Sequence, residues 1–227
     1  LFGKHVWSGI QPGGLHLHAH CAAMNLPIFE RHTHQLKQAG IVPASTQMLL
    51  PQLSWMEGDV SGLNLPEKFV LFVPGSSLSG SYKRWPASSY ATLAANLKAQ
   101  GFECVLVAGP EDNEPVHYLR DHVPGLVDLS MKLSLFQIAS VARLAKGVVG
   151  NDTGPTHIAS GVGAFTVVPW STSASDPYIY APKGPHIRVL AVEDLKNLSP
   201  QEVGRAFFDL VSNKALDSEV PVLASSS

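Results

Sequence analysis

Between residues 66 and 212 the apolar positions switch repeatedly between unbroken short runs and helical spacing. Phe69-Val70-Leu71-Phe72-Val73 is apolar throughout, as a strand covered on both faces requires. From Pro86 to Gln100, Tyr90, Leu93, Ala94 and Leu97 recur at helical spacing, and Gly101 supplies the stop. Cys104 to Ala108 predicts the next strand and Glu114 to His122 a helix. Ser134 can cap a helix whose stripe is Leu135, Ile138, Val141 and Ala142. Gly147 to Gly150 predicts a strand that turns through Asn151-Asp152-Thr153-Gly154 into a helix reaching about Val162, with Pro155 in its first turn. Phe165 to Val168 and, after a long loop, Ile187 to Leu190 complete the strands. Ser199-Pro200-Gln201-Glu202 is a capping box opening a helix through Phe207 and Leu210. This alternation predicts an α/β fold: a Rossmann-like parallel sheet with helices on both faces.

Residues 1–65 have a different texture. Gly9 to Gly14 is loop-like, Ile28 to Gly40 predicts one helix, and Pro43 to Gly62 reads as a linker. A single helix cannot bury its own apolar face, so this part is expected to be the end of a preceding domain. Three segments result: 1–65, a domain at 66–212, and a loose tail at 213–227. The chain begins at Leu1 with no signal-peptide pattern, which reads as a fragment or a processed chain.

Composition narrows the functional classes. With 45% hydrophobic and 15% charged residues the chain can bury a substantial core. A formal charge of −2 without a basic patch argues against nucleic acid. No run approaches the roughly 20 apolar residues that span a bilayer. Of the two cysteines, Cys104 lies in an apolar run, favouring a buried thiol over a disulfide with Cys21.

Ligands of open parallel sheets bind beyond the carboxyl ends of the strands, and three polar clusters fall there. They are Pro74-Gly75-Ser76-Ser77 with Lys83-Arg84-Trp85-Pro86, then Gly109-Pro110-Glu111-Asp112, then Asn151 to His157. In the last, a helix start offers N–H groups and a positive dipole end to a phosphate. Gly154 permits close approach, Thr153 adds a hydroxyl, and Asp152 suits sugar hydroxyls. An ordinary cap at Asp152 or Thr153 is the alternative. His157 is either a ligand contact or a packed helix residue. Lys83 is either a mobile cation for a diphosphate or a solvated lysine. Glu111 is either a ribose acceptor or a helix-start carboxylate. There is no G-x-G-x-x-G turn after a strand, no P-loop and no nucleophile elbow. His16, His18 and His20 share one face if extended, but no nearby carboxylate completes a metal site.

Taken together, Val73 to Ser77, Lys83 to Pro86, Tyr90-Ala91, Ala108 to Glu111, Leu133 to Leu135 and Asn151 to His157 resemble glycosyltransferase family 9, the ADP-heptose:lipopolysaccharide heptosyltransferases. Glu30 to Ile41 resembles the helix leading out of that family's first domain. The resemblance implies the C-terminal, donor-binding half of a two-domain GT-B type fold. It implies Ser76 and Ser77 at the donor phosphates, Lys83 on the diphosphate and Glu111 on the ribose. The backbone near Leu133 would line the adenine pocket. Asp152 would contact the sugar, Thr153 and Gly154 would give N–H groups to the diphosphate, and His157 would support the turn. Lys83 and Asp152 are the expected catalytic residues. The implied reaction is inverting, without metal or other cofactor, from a nucleotide-sugar such as ADP-heptose to a lipopolysaccharide core or other glycan. The implied location is cytoplasmic, with peripheral association at the inner face of the bacterial inner membrane. The family's general base is an aspartate of the first domain, for which residues 1–65 offer no motif, so this stretch alone would bind donor without transferring it. A non-catalytic binding module and a nucleotide-sugar epimerase or hydrolase are the competing classes.

Overall fold

The structure is a computed structural model that describes residues 8–9, 16–17, 26–76 and 78–217. The chain divides into two compact units, Leu1–Pro51 with Asp176–Ala181, and Gln52–Ser175 with Pro182–Ser227.

In the smaller unit, β1 (Ser8–Gly9) pairs in parallel with β2 (His16–Leu17). Helix α1 spans Ile28–Gln38. The buried Thr33 hydroxyl donates to Phe29 O at 2.7 Å and accepts from Leu49 N at 2.9 Å, so one side chain ties the helix to the strap that follows it.

The larger unit is built on β3 (Phe69–Val73), β4 (Glu103–Leu106), β5 (Val127–Asp128), β6 (Gly147–Gly150), β7 (Thr166–Ser171) and β8 (Ile187–Val192). Among the described residues these form one sheet in the order β5-β4-β3-β6-β7-β8, every pair parallel. The helices are α2 (Ala87–Ala99), α3 (Asn113–His122), α4 (Leu135–Leu144), α5 (Gly154–Gly161) and α7 (Pro200–Asp217). The short α6 (Pro177–Tyr180) belongs to the smaller unit.

Successive β3 side chains point to opposite faces, and both faces are dry. Val70 and Phe72 join Trp85, Tyr90, Leu93, Leu97, Leu119 and Phe207 in one core. Phe69, Leu71 and Val73 join Val105, Ile138, Val141, Val148 and Ala159 in the other. Each side chain of Leu or Phe size so buried contributes roughly 1.5–3 kcal/mol, which requires helices on both faces. Gly101, at φ +75°, ends α2 in a left-handed turn that a side chain would strain. Cys104 is a free, buried thiol, pushed up to about 12 by burial and the neighbouring Glu103 charge. Cys21 lies outside the described residues.

Several boundaries differ from the sequence reading. Helix α7 continues to Asp217, five residues into the segment read as a tail. Residues 52–65 pack with the sheet unit: Arg143 donates to the carbonyls of Leu53, Ser54 and Met56, Gly58 N donates to Ser140 Oγ, and Gln137 donates to Asp59 O. The stretch looked like a linker because its own side chains carry no period; the bonds that hold it come from α4. Gly9 lies in a strand rather than a loop. Strand β5 and helix α6 are too short to leave a periodic trace.

Candidate active site

The chain steps outward from β3 to β4 to β5 on one side and from β6 to β7 to β8 on the other, so its direction reverses between β3 and β6. Such a reversal opens a crevice at the strand ends, because the following loops diverge to opposite faces. A cleft of about 400 Å³ lies there, lined by residues that include Gly75, Ser76, Glu111, Asp112, Asp152 and Gly154.

One wall is the turn from β6 into α5. Lys83 Nζ donates to Asp152 Oδ2 at 2.7 Å, and His157 Nε2 lies 3.1 Å from Asp152 Oδ1. Two side chains, Lys83 and His157, therefore meet on the Asp152 carboxylate. Burial would raise the pKa of Asp152, but the hydrogen bonds from His157 and Lys83 and their charges prevail and hold it below the ordinary aspartate value. Thr153 is the N-cap of α5, yet its side chain makes no capping hydrogen bond, and Asp152 is engaged by Lys83 and His157. Neither alternative capping role is therefore realised. Among the described residues outside its own turn, nothing lies within 4 Å of where a Gly154 side chain would begin, so the helix start is open to an incoming group.

The opposite wall is built around Asp112, which is 5% exposed. Its Oδ1 accepts from Ser76 N at 3.0 Å and from Arg84 Nη2 at 3.1 Å, and its Oδ2 from Gly109 N at 2.8 Å. Arg84 also donates through Nε to Ser76 Oγ at 3.0 Å, and through Nη2 to Ser76 O at 2.9 Å and Glu111 O at 3.2 Å.

Asn151, fully buried, stands between the walls. Its Oδ1 accepts from Trp85 N and Tyr90 Oη, each at 3.1 Å, and its Nδ2 donates to Pro74 O at 2.6 Å. Trp85 Nε1 donates to Leu198 O at 2.8 Å. The Lys-Arg-Trp-Pro block is thereby divided among four tasks: Lys83 to Asp152, Arg84 to the Asp112 wall, Trp85 to Asn151, and Pro86 to the start of α2.

Of the residues singled out in the sequence, Lys83, Asp152 and His157 come together, and Thr153, Gly154, Ser76 and Glu111 line the same cleft. The Ser76 hydroxyl is turned inward, donating to Gly80 O at 2.9 Å and accepting from Arg84. Leu133 lies apart from the cleft lining, with its side chain against the core beneath α4. Ser77, His18 and His20 lie outside the described residues, and His16 sits in β2. Among the described residues no group of three or more His, Cys, Asp or Glu is placed to hold a metal. Arg84, Asp112 and Asn151 received no role from sequence. Apart from Gly109 N, three residues from Asp112, the partners cited above are 8 to 77 residues away, and only Asn151 carries a local signal, an amide directly after a buried strand.

A larger hollow of about 630 Å³ lies between the segment after β3 and the ends of β7 and β8, lined in part by Arg84, Trp85, Glu114, Ser171, Glu193 and Asp194. No residue of the Asn151–His157 turn lines it, so the smaller cleft is the better candidate.

A family model described as glycosyltransferase family 9 (heptosyltransferase) matches residues 15–190. The chain is 26% identical over 162 residues to lipopolysaccharide heptosyltransferase 2 of Salmonella typhimurium, covering 65% of this chain and 46% of that protein. It is 28% identical over 140 residues to the Escherichia coli lipopolysaccharide heptosyltransferase 2, covering 57% and 40%. The chain thus spans less than half the length of these curated relatives. An E. coli ADP-heptose LPS heptosyltransferase II structure superposes with a TM-score of 0.69 at 22% identity, covering 84% of this chain and 63% of the other. A family 9 glycosyltransferase structure from Veillonella parvula also gives 0.69 at 22%, covering 84% and 61%. These two share the fold, a GT-B type architecture of which this chain carries part. The family match over most of the chain and the parallel sheet with its cleft lead to one conclusion: the chain belongs to glycosyltransferase family 9.

Proposed function

We propose that the cleft between β3, β4 and β6 holds a nucleotide-diphosphate sugar. We further propose that the whole protein is an inverting, metal-independent heptosyltransferase using ADP-heptose and a lipopolysaccharide core acceptor. The observation that carries this is the meeting of Lys83, Asp152 and His157 at the open start of α5. The named activities of the Salmonella and E. coli relatives, and ADP-heptose in the name of the E. coli structure, supply the sugar class.

In this reading the diphosphate lies against the α5 N–H groups, and the ribose reaches Glu111. Asp152 accepts from hydroxyls of the transferred sugar while Lys83 leans toward the phosphates. An acceptor hydroxyl attacks the anomeric carbon as the bond from that carbon to the diphosphate oxygen breaks, inverting the centre. Negative charge grows on the departing diphosphate, where Lys83 and the helix start act electrostatically. The acceptor proton passes to a general base that lies outside the sheet unit, in the family's first domain. The acceptor places the protein at the inner face of the bacterial inner membrane. Among the described residues no helix is long and apolar enough to cross a membrane.

The test is transfer of radiolabelled heptose from ADP-heptose to a core acceptor by the full-length gene product. Label on the acceptor is the expected result. Binding without turnover supports a donor-binding module instead, and free sugar or an altered epimer without acceptor supports a hydrolase or epimerase.

A further inference from the structure

Beyond the groups that face the donor, we propose that Arg84 and Asp112 are positioning residues. They form a clasp that fixes the loop after β3 and the loop after β4 at a set separation before nucleotide arrives. The proposal rests on the nucleotide-sugar reading of the cleft.

Four backbone groups from the two loops, Ser76 N, Ser76 O, Gly109 N and Glu111 O, are bonded to this side-chain pair. The planar fork of Arg84 reaches both loops at once, a geometry a lysine cannot reproduce. Gly75 leaves the space the clasp occupies, since a Cβ there would lie 2.0 Å from Asp112 Oδ2. The Ser76 hydroxyl extends the clasp to Gly80, in the turn that leads into Lys83. Arg84 and Lys83 are adjacent, so drawing Arg84 into the clasp also sets the backbone from which Lys83 reaches Asp152.

A buried ion pair is by itself weak evidence for stability, because desolvation offsets much of its attraction. This one joins two cleft-lining loops, and its effect is expected on ligand geometry. Loops already held at the right distance have less freedom to lose on binding. Small misplacements of Lys83 would weaken its hold on the diphosphate.

The experiment uses the whole chain as wild type, Arg84→Met, Asp112→Asn and the double variant. ADP binding is measured by calorimetry and amide exchange without ligand. The clasp predicts at least about tenfold weaker ADP binding in each single variant. It predicts faster exchange at the Ser76 and Gly109 amides, with unchanged protection in β3 and β6. The double variant should be no more than about threefold worse than either single, since one unit is removed once. In one further variant, Arg84→Gly, guanidinium ion added at low concentration should restore ADP affinity, which a role in stability alone would not produce; no recovery counts against the clasp. Asp112→Asn is nearly isosteric and keeps the test open where Arg84→Met does not fold. Affinity within about twofold of wild type in both single variants, or exchange rising equally throughout the sheet, overturns the clasp. Absence of ADP binding by the wild type overturns the nucleotide reading itself, and the clasp with it.

Discussion

Two aspartates stand across the same cleft, each paired with one of two consecutive cations. Asp112 takes Arg84 at 3.1 Å and two backbone amides besides, and its side chain is 7% exposed. Asp152 takes Lys83 at 2.7 Å and His157 at 3.1 Å, beside a helix start whose N-cap side chain makes no capping hydrogen bond. The first wall is satisfied from within. The second holds its charge on partly exposed partners, Lys83 and His157, whose side chains are 27% and 37% exposed. A carboxylate saturated by its own fold shapes a site, whereas one held by a partly exposed lysine can exchange that partner for a ligand.

The largest effect is expected where the walls join. Asn151→Ala leaves Trp85 N, Tyr90 Oη and Pro74 O without their present partner in a fully buried place. At 1–3 kcal/mol for each unsatisfied group, a loss of about 3 kcal/mol or more is expected in urea unfolding. A loss under about 1 kcal/mol would mean that the two walls are not joined through Asn151.

Helix starts sharpen the contrast further. Ser134 and Gln137 form a reciprocal capping box on α4, whereas Thr153 caps nothing on α5. Ser134→Ala should therefore cost about 1 kcal/mol, and Thr153→Ala only a few tenths, in the same unfolding measurement. Equal losses would show that the Thr153 hydroxyl serves the fold after all.

The smallest effect is a pH dependence of the Asp152 wall. Lys83 and His157 face this carboxylate and hold its folded-state pKa below the ordinary 3.8. The unfolded chain binds the proton more readily, so the stabilisation is complete above the ordinary value and is lost as pH falls through the depressed one. Urea midpoints of wild type and Asp152→Asn should differ by a constant amount at neutral pH and converge only in strong acid. Convergence already near pH 5 would contradict the depressed value; that pH is roughly one unit above an ordinary carboxylate.

The parallel sheet was legible because β3 is apolar at every position and the helices on either side carry their own stripes and caps. The Asp152 wall was legible because its chemistry is compressed into one turn, Asn151 to His157. The Asp112 wall was not. The residue types alone do not distinguish Asp112 from Glu111 beside it, and besides Gly109 N, three residues back, the partners of Asp112 are Arg84 and Ser76, 28 and 36 residues away. Residues 52–65 were unreadable for the same reason, since their backbone is held by Arg143, Ser140 and Gln137 of another element.

The central claim is that the cleft holds a nucleotide-diphosphate sugar through Lys83 and Asp152. Its most direct test is titration of ADP-heptose into the wild-type chain and into Lys83→Ala and Asp152→Ala, each first shown to be folded. Saturable binding by the wild type, weakened at least about tenfold or 1.4 kcal/mol in both variants, is the predicted result. Unchanged affinity in both variants, or no binding by the wild type, would contradict it.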